Sequence, residues 1–386
     1  MHISGEQTPG SLKPPAVLSP NAVALLDLLR AAAANLVLAG HAGDVFGLGI
    51  AAPLGTMGVG VFFILSGFLI THSSLARMRR AGPWFGPFMI DRSARIFTAY
   101  LPALALVAAA NAVVDLGSWG QDGVSRGPLA FAGNLLLLQD YPLFQAAHRV
   151  IGEAFRIRSY NTAEPFWTIP IEYWIYVVFG LGFFGLGCRE RLGRALPLAL
   201  AAVALPVAIW NAAAGGGDGL TLIWLCGAAG SFVWSQGWDR SRRKLATGLI
   251  VLAVAGASLL GRGVKQGWNF HDIGMAACET LILLGALSAL DGLATLPRRL
   301  RGACAFFASY SYSLYLVHNT ALIVVRHALP GAPAAAALAI LAAHLVAFAM
   351  HLLFERRYRA VGSWLKRRLF RPRAPTSAAL PAAAAP

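Results

Sequence analysis

Apolar residues dominate ten segments of this chain, at about 22–47, 55–76, 96–115, 165–187, 195–213, 219–237, 245–260, 273–290, 303–325 and 334–354. Most approach the ~20 residues that an α-helix needs to cross a bilayer, and 245–260 is the shortest. Polar and basic stretches separate them. The pattern predicts an all-α integral membrane protein, a polytopic bundle of about ten transmembrane helices over 21–355. The longest connection, 116–164, contains the apolar run Leu129–Leu138, which is too short to span. That run reads as an interfacial or re-entrant helix, or as core packing. Residues 1–20 are rich in Pro, Ser and Gly and read as a disordered tail. Residues 356–386 begin basic and end in Pro/Ala low complexity, and read as a second tail.

Composition agrees with a membrane protein. The 386 residues are 57% hydrophobic and only 13% charged, with a mean hydropathy of +0.61, against roughly 25% charged in soluble domains. The net charge of +15 invites a nucleic-acid partner. The distribution of the charge argues against one. With ten spans, 24 of the 32 Lys and Arg residues fall on the side of the two termini and 7 on the other, with Arg30 inside a span. The positive-inside rule then places both termini in the cytoplasm. Cys188, Cys226, Cys278 and Cys304 show no metal-type spacing, so neither a zinc site nor a disulfide framework is implied. No cleaved signal peptide is expected, because only Lys13 precedes the first apolar run and Arg30 interrupts it.

Three polar side chains change the reading of the first segment. Asp27, Arg30 and His41 lie in a stretch long enough to span, where a mid-membrane charge costs ~2.5–3.5 kcal/mol. Arg30 and His41 are eleven residues apart, which returns them to nearly one helix face about 16 Å apart along the axis. Asp27 sits at i,i+3 from Arg30, within contact. The face is either a satisfied Asp–Arg pair beside a core histidine, or a site in a protein-lined cavity. Asp44 lies one turn beyond His41.

Other segments carry candidate chemistry. The second reads GTMGVGVFFILSGFLITHSSL, where Gly55, Gly58, Gly60, Ser66 and Gly67 permit close helix packing. The same small residues would let a thin chain pass. Arg92 and Arg95, in DRSARIFTAY, share a face and suit a phosphate-bearing ligand. They serve equally as a basic anchor beside anionic lipid. Glu172 lies within EPFWTIPIEYWIYVVFG, placed to orient a histidine, pair with Arg30 or hold a proton. In FFASYSYSLYLVHNTALIVV, Tyr315 and His318 share a face, with Asn319 adjacent. These are either an acceptor site for a hydroxyl or interhelical hydrogen-bonding groups. Glu279 and His344 read as structural.

Taken together, LDLLRAAAANLVLAGH, GVGVFFILSGFLI, RSARIFTAY, FWTIPIEYWIYVV, YSLYLVH and FERRYRAVGSWL resemble the acyltransferase-3 family of membrane O-acyltransferases, over about 22–366. The Arg-x10-His pairing and the FF-x-LSGF run are the more specific motifs. The resemblance implies transfer of an acyl group, most often acetyl from cytoplasmic acetyl-CoA, to a hydroxyl of a glycan or small molecule. His41 would be catalytic, with Arg30 its partner. Arg92 and Arg95 would meet the CoA phosphates, and Glu172 matches the family's intramembrane glutamate. Asp27, Asp44, Ser66, Tyr315, His318 and Asn319 would support the site; either Glu172 or Asp44 would orient His41. No metal is expected. The sequence departs from the family at Gly60, Tyr173, Asp91 and Thr98, and Asp91 weakens the basic cluster. The resemblance also implies a stand-alone member in the cell's inner membrane, without an outer hydrolase-like domain. Homo-oligomerisation stays open. The polar intramembrane set would also suit a proton-coupled exporter of a glycan or small molecule, and a non-catalytic scaffold is a third reading.

Overall fold

The structure, a computed structural model, describes residues 17–49, 53–78, 85–114, 124–152, 157–184, 195–213, 219–237 and 243–370. The expected disorder of the two chain ends lies outside these residues, apart from 17–20 and 356–370. Among the described residues the protein is all-α apart from one pair of two-residue strands. The helices are α1 (Pro20–Phe46), α2 (Pro53–Arg77), α3 (Phe85–Val114), α4 (Gly127–Leu135), α5 (Pro142–Ile151), α6 (Thr168–Phe184) and α7 (Ala195–Ala213). They continue as α8 (Leu220–Ser235), α9 (Lys244–Gln266), α10 (Ile273–Asp291), α11 (Arg298–Ser309), α12 (Ser311–Ala328), α13 (Ala335–Leu353) and α14 (Tyr358–Leu369).

Among the described residues, eight helical stretches are long and apolar enough to cross a membrane. Of the other two predicted spans, α8 is apolar but has 16 residues, and α12 has 18 residues interrupted by Ser, Tyr, His and Asn. Three predicted boundaries move. The third helix begins at Phe85 rather than near 96. The ninth segment, expected as one helix over 303–325, breaks at Tyr310 into α11 and α12. Serines flank the break, and Ser309 and Ser311 donate to the carbonyls of Phe306 and Ala308. Such side-chain bonds compete with the helical ladder. The basic stretch after Arg356 is the third change, because it folds into α14, which packs on α3.

α1 is the hub, packed against α2, α10, α11, α12 and α13. Its start is fixed by polar anchors. Ser19 caps the helix through the amide of Ala22 at 3.1 Å and donates to Asp291. Buried Asn21 donates to the carbonyls of Leu290 and Ala294 and accepts from the amide of Leu296. At the other end, Arg326 donates to the carbonyl of Val45 and lies over the Phe46 ring.

Small residues decide how closely the helices meet. A Cβ at Gly58 would lie 2.5 Å from the Ala33 carbonyl oxygen, so α1 and α2 approach backbone to backbone. A Cβ at Gly67 would lie 2.0 Å from the carbonyl oxygen of Trp224, and one at Gly227 would lie 2.1 Å from that of Ile64. The α2–α8 crossing therefore requires both glycines. Gly67→Ala is expected to destabilise the protein by about 1–3 kcal/mol through overpacking. The check is the melting temperature of the purified protein in detergent; an unchanged value would show that the two helices can separate freely.

Residues 124–152 and 157–167 form a cap. β1 (Val124–Ser125) pairs in parallel with β2 (Ser159–Tyr160), and the apolar run expected over 129–138 is largely α4. Asn134, fully buried, donates to the carbonyls of Ala130 and Arg158 and accepts from the Tyr160 amide. Gln139 bridges the Tyr100 hydroxyl on α3 and the Phe166 carbonyl. These buried bonds fix the 3-10 turn Glu164–Trp167 that leads into α6.

Candidate functional site

His41 and His318 meet edge to face between α1 and α12, with ring centroids 5.0 Å apart. His318 is fully buried. Its Nδ1 lies 3.0 Å from the Leu314 carbonyl oxygen and 2.9 Å from that of Tyr315. Carbonyl oxygens only accept, so Nδ1 carries a proton, and in the neutral ring Nε2 keeps its lone pair. That Nε2 is buried and makes no hydrogen bond within the protein. The carboxylate beside His41 is Glu164, with Oε2 3.7 Å from Nδ1. This leaves Nε2 as the nitrogen of His41 turned away from the carboxylate.

Glu164 was not visible from sequence. It lies 123 positions after His41, in a turn whose placement depends on the cap formed by 124–152 and 157–167. Asn319 and Thr162 help hold that cap. Asn319 donates to the Thr162 carbonyl at 2.9 Å, and the Thr162 and Thr320 hydroxyls are 2.9 Å apart. Asn319 thus works as a brace for the loop that carries Glu164. Neither carboxylate expected to orient His41 is placed for it. Asp44 is exposed at the end of α1, and Glu172 belongs to a separate group of side chains. The reason is chain geometry: Asp44 sits on an exposed face in the last turn of α1, and Glu172 is about one turn into α6, past the turn that places Glu164.

That second group surrounds a cavity of about 550 Å³. Its walls include Asp27 and Arg30 from α1, Ser66 from α2, Arg92 and Arg95 from α3, Glu172 and Tyr176 from α6, and Tyr312 and Tyr315 from α12. The segment after α13 contributes Glu355, Arg356, Tyr358 and Arg359. Arg30 donates to Asp27 at 3.1 Å, the i,i+3 pair expected from the spacing. Glu172 accepts from the Tyr176 hydroxyl. Ser66 is 2.9 Å from that hydroxyl and accepts from the Trp224 indole at 3.1 Å. Ser66 is therefore a link in the chain that positions Glu172.

The two arginines of α3 have different partners. Arg95 donates to Glu355 at 2.7 Å and lies over the rings of Tyr312 and Tyr358. Glu355 is itself fully buried, and it also accepts from the Ser313 amide at 3.3 Å and hydroxyl at 2.7 Å. It thus caps the first turn of α12, where an anion is favoured. Arg92 lies over Phe88, and its Nε is buried without a hydrogen-bond partner. Asp91, which interrupts the basic cluster in sequence, does not line the cavity. It is bound by Arg77 at 2.8 Å and Lys366 at 2.6 Å, and so fastens α2, α3 and α14 together.

Tyr315 stands between the two groups. It lines the cavity, donates to the Pro165 carbonyl at 2.9 Å, and contacts the Thr168 hydroxyl at 2.7 Å. Its ring centroid is 6.0 Å from that of His318. One aromatic side chain therefore separates the arginine-lined cavity from the histidine pair. Among the described residues, no group of three or more His, Cys, Asp or Glu side chains is placed to hold a metal ion.

A polytopic helical membrane protein with these two adjacent groups can be compared with known proteins. No curated protein and no solved structure matches the chain. A family model described as "Acyltransferase domain", that of the acyltransferase-3 family, matches residues 23–352 of the 386. The chain therefore belongs to the acyltransferase-3 family and is a multi-pass membrane acyltransferase.

Proposed function

We propose that this protein transfers an acyl group, acetyl in the simplest case, from cytoplasmic acyl-CoA to a hydroxyl of a cell-surface polysaccharide, glycolipid or lipid-linked sugar. The observation that carries this reading is the position of Tyr315, lining the arginine cavity on one side and touching His318 on the other. Phosphates suit a guanidinium-lined cavity, and an imidazole suits proton abstraction from a hydroxyl near neutral pH. The two needs of acyl transfer thus meet across one side chain. The positive-inside count along the sequence supports an arginine side toward the cytoplasm and a His41 side toward the outside.

In this mechanism the donor's phosphates sit at the mouth bounded by Arg92, and the pantetheine arm carries the thioester past Tyr315. His41 Nε2 takes the proton of the acceptor hydroxyl. The oxygen attacks the thioester carbonyl, a C–O bond forms and the C–S bond breaks. The thiolate leaves and takes up the proton from His41. Glu164 faces the imidazolium formed on the way. Arg30, about 16 Å from His41 along α1, is too far to share the reacting atoms. It lines the donor cavity with its charge met by Asp27.

Purified protein in nanodiscs, given labelled acetyl-CoA and an envelope glycan fraction, is expected to release CoA and label the glycan. Arg92→Ala with Arg95→Ala is expected to raise the KM for acetyl-CoA more than it lowers kcat. A donor whose KM ignores both changes does not bind in this cavity. Absence of any CoA release would rule out the transferase reading with this donor, and the exporter reading requires that absence.

A further inference from the structure

One wall of the arginine cavity comes from a part of the chain that the transfer mechanism does not use. Beyond α13 the chain makes a short 3-10 turn, Glu355–Arg357, and enters α14. Three contacts pin this segment to the bundle. Glu355 is buried against Arg95. Lys366 is held by Asp91 at 2.6 Å. A Cβ at Gly362 would lie 3.4 Å from the Asp91 carboxylate and 3.5 Å from Ala94, so α14 runs close along α3.

The cations of the cavity divide into two classes. Arg30 is paired with Asp27, and Arg95 is paired with Glu355 and flanked by two tyrosines. Their charges are already met. Arg92, Arg356 and Arg359 also line the cavity. Among the described residues, no carboxylate lies within ion-pair distance of any of the three. Arg359 donates to the Tyr358 hydroxyl at 3.0 Å and lies over that ring, which fixes its stem at the rim. Arg92 keeps a buried Nε with no hydrogen-bond partner. That buried group is costly to leave without an acceptor, and Arg356 and Arg359 are exposed at the rim, so an anion that enters between the three relieves the cost at Arg92 and meets two further guanidiniums.

We infer that α14 and the turn before it are part of the donor site: Arg356 and Arg359, with Arg92, bind the phosphates of the acyl donor. Arg95 is then the strut that holds this wall in place, and it does not contact the phosphates. The inference rests on the acyl-CoA reading given above. It adds that the clamp is shared between the third helix and the C-terminal one.

The test compares wild type with Arg356→Ala/Arg359→Ala in nanodiscs of pure phosphatidylcholine. Two donors are used, acetyl-CoA and S-acetylpantetheine, which has the same thioester arm and no phosphate. The variant is expected to raise the KM for acetyl-CoA about 10- to 100-fold, the range for losing charged hydrogen bonds. Its KM for S-acetylpantetheine should stay at the wild-type value. Calorimetric titration with CoA alone should show a matching loss of affinity. If both KM and CoA affinity are unchanged while wild type turns over acetyl-CoA, the inference is overturned and the transfer reading stands. A defect seen only when phosphatidylglycerol is added, and equal for both donors, would identify a lipid headgroup as the anion and also overturn it. If wild type neither binds CoA nor uses either donor, the reading itself fails, and the inference with it. Should the alanine pair fail to fold, Arg356→Gln/Arg359→Gln keeps the stems and carries the same expectations.

Discussion

His41→Ala is expected to lower the rate of acyl transfer about 10²- to 10⁴-fold, the range for loss of a general base. CoA should still bind, because the arginine cavity does not include His41. The measurement is label transfer from acetyl-CoA by membranes containing equal amounts of each protein, with CoA titration as the binding control. A near-wild-type rate would reduce the histidine pair to a packing contact and remove the catalytic assignment. Glu164→Gln should cost far less. Its carboxylate is 3.7 Å from His41 but the side chain is 38% exposed, and solvent-screened pairs are worth about 0–1 kcal/mol. A loss of roughly fivefold or less follows for that variant. The ratio of the two effects separates a catalytic base from its electrostatic support. The partner histidine is tested by His318→Ala. Its Nδ1 is tied to two backbone carbonyls and its ring packs on His41, so that substitution should reduce kcat while CoA affinity remains.

Much of the architecture was legible because membrane spans declare themselves by composition and length. α1 was expected over 22–47 and found at Pro20–Phe46. The Asp27–Arg30 pair followed from i,i+3 geometry alone. Close packing at Gly58 and Gly67 followed from small residues in an apolar run. Other features needed the folded chain. Glu164 reaches His41 from a turn set by the buried bonds of Asn134 and Gln139, and no local spacing encodes that. The break at Tyr310 arose from serine side chains competing for backbone carbonyls inside a run with no proline. α14 was hidden by its charge. With Lys366, Arg367 and Arg368 in its last turn it resembled a solvated tail. The signal was present in the spacing of Tyr358, Val361, Gly362 and Leu365, one face of a helix at i, i+3, i+4 and i+7. The functional split between Arg92 and Arg95 was also invisible. Both suit phosphate equally in sequence, and only Glu355, 260 positions on from Arg95, assigns one of them to the fold.

Glu355→Ala is expected to be the most destabilising single change, by about 3–5 kcal/mol, because it leaves a guanidinium without its buried partner. The carboxylate accepts from Arg95 and from the amide and hydroxyl of Ser313, and its side chain is fully buried. Removing it strands Arg95, uncaps α12 and releases the turn that leads to α14. Thermal unfolding of the purified protein in detergent reads the loss directly. A double change distinguishes a buried pair from a generic packing defect. Glu355→Leu with Arg95→Met removes both charges and keeps most of the volume, so it should melt above either single charge deletion. Equal melting for the single and the double would mean that the pair contributes volume and no charge. The pair also links stability to the donor site. If α14 supplies phosphate ligands, the double variant should fold and still show a raised KM for acetyl-CoA, because Arg356 and Arg359 lose their fixed position. A folded double variant with a wild-type KM would detach α14 from donor binding, even with Glu355 retained as the central anchor of the fold.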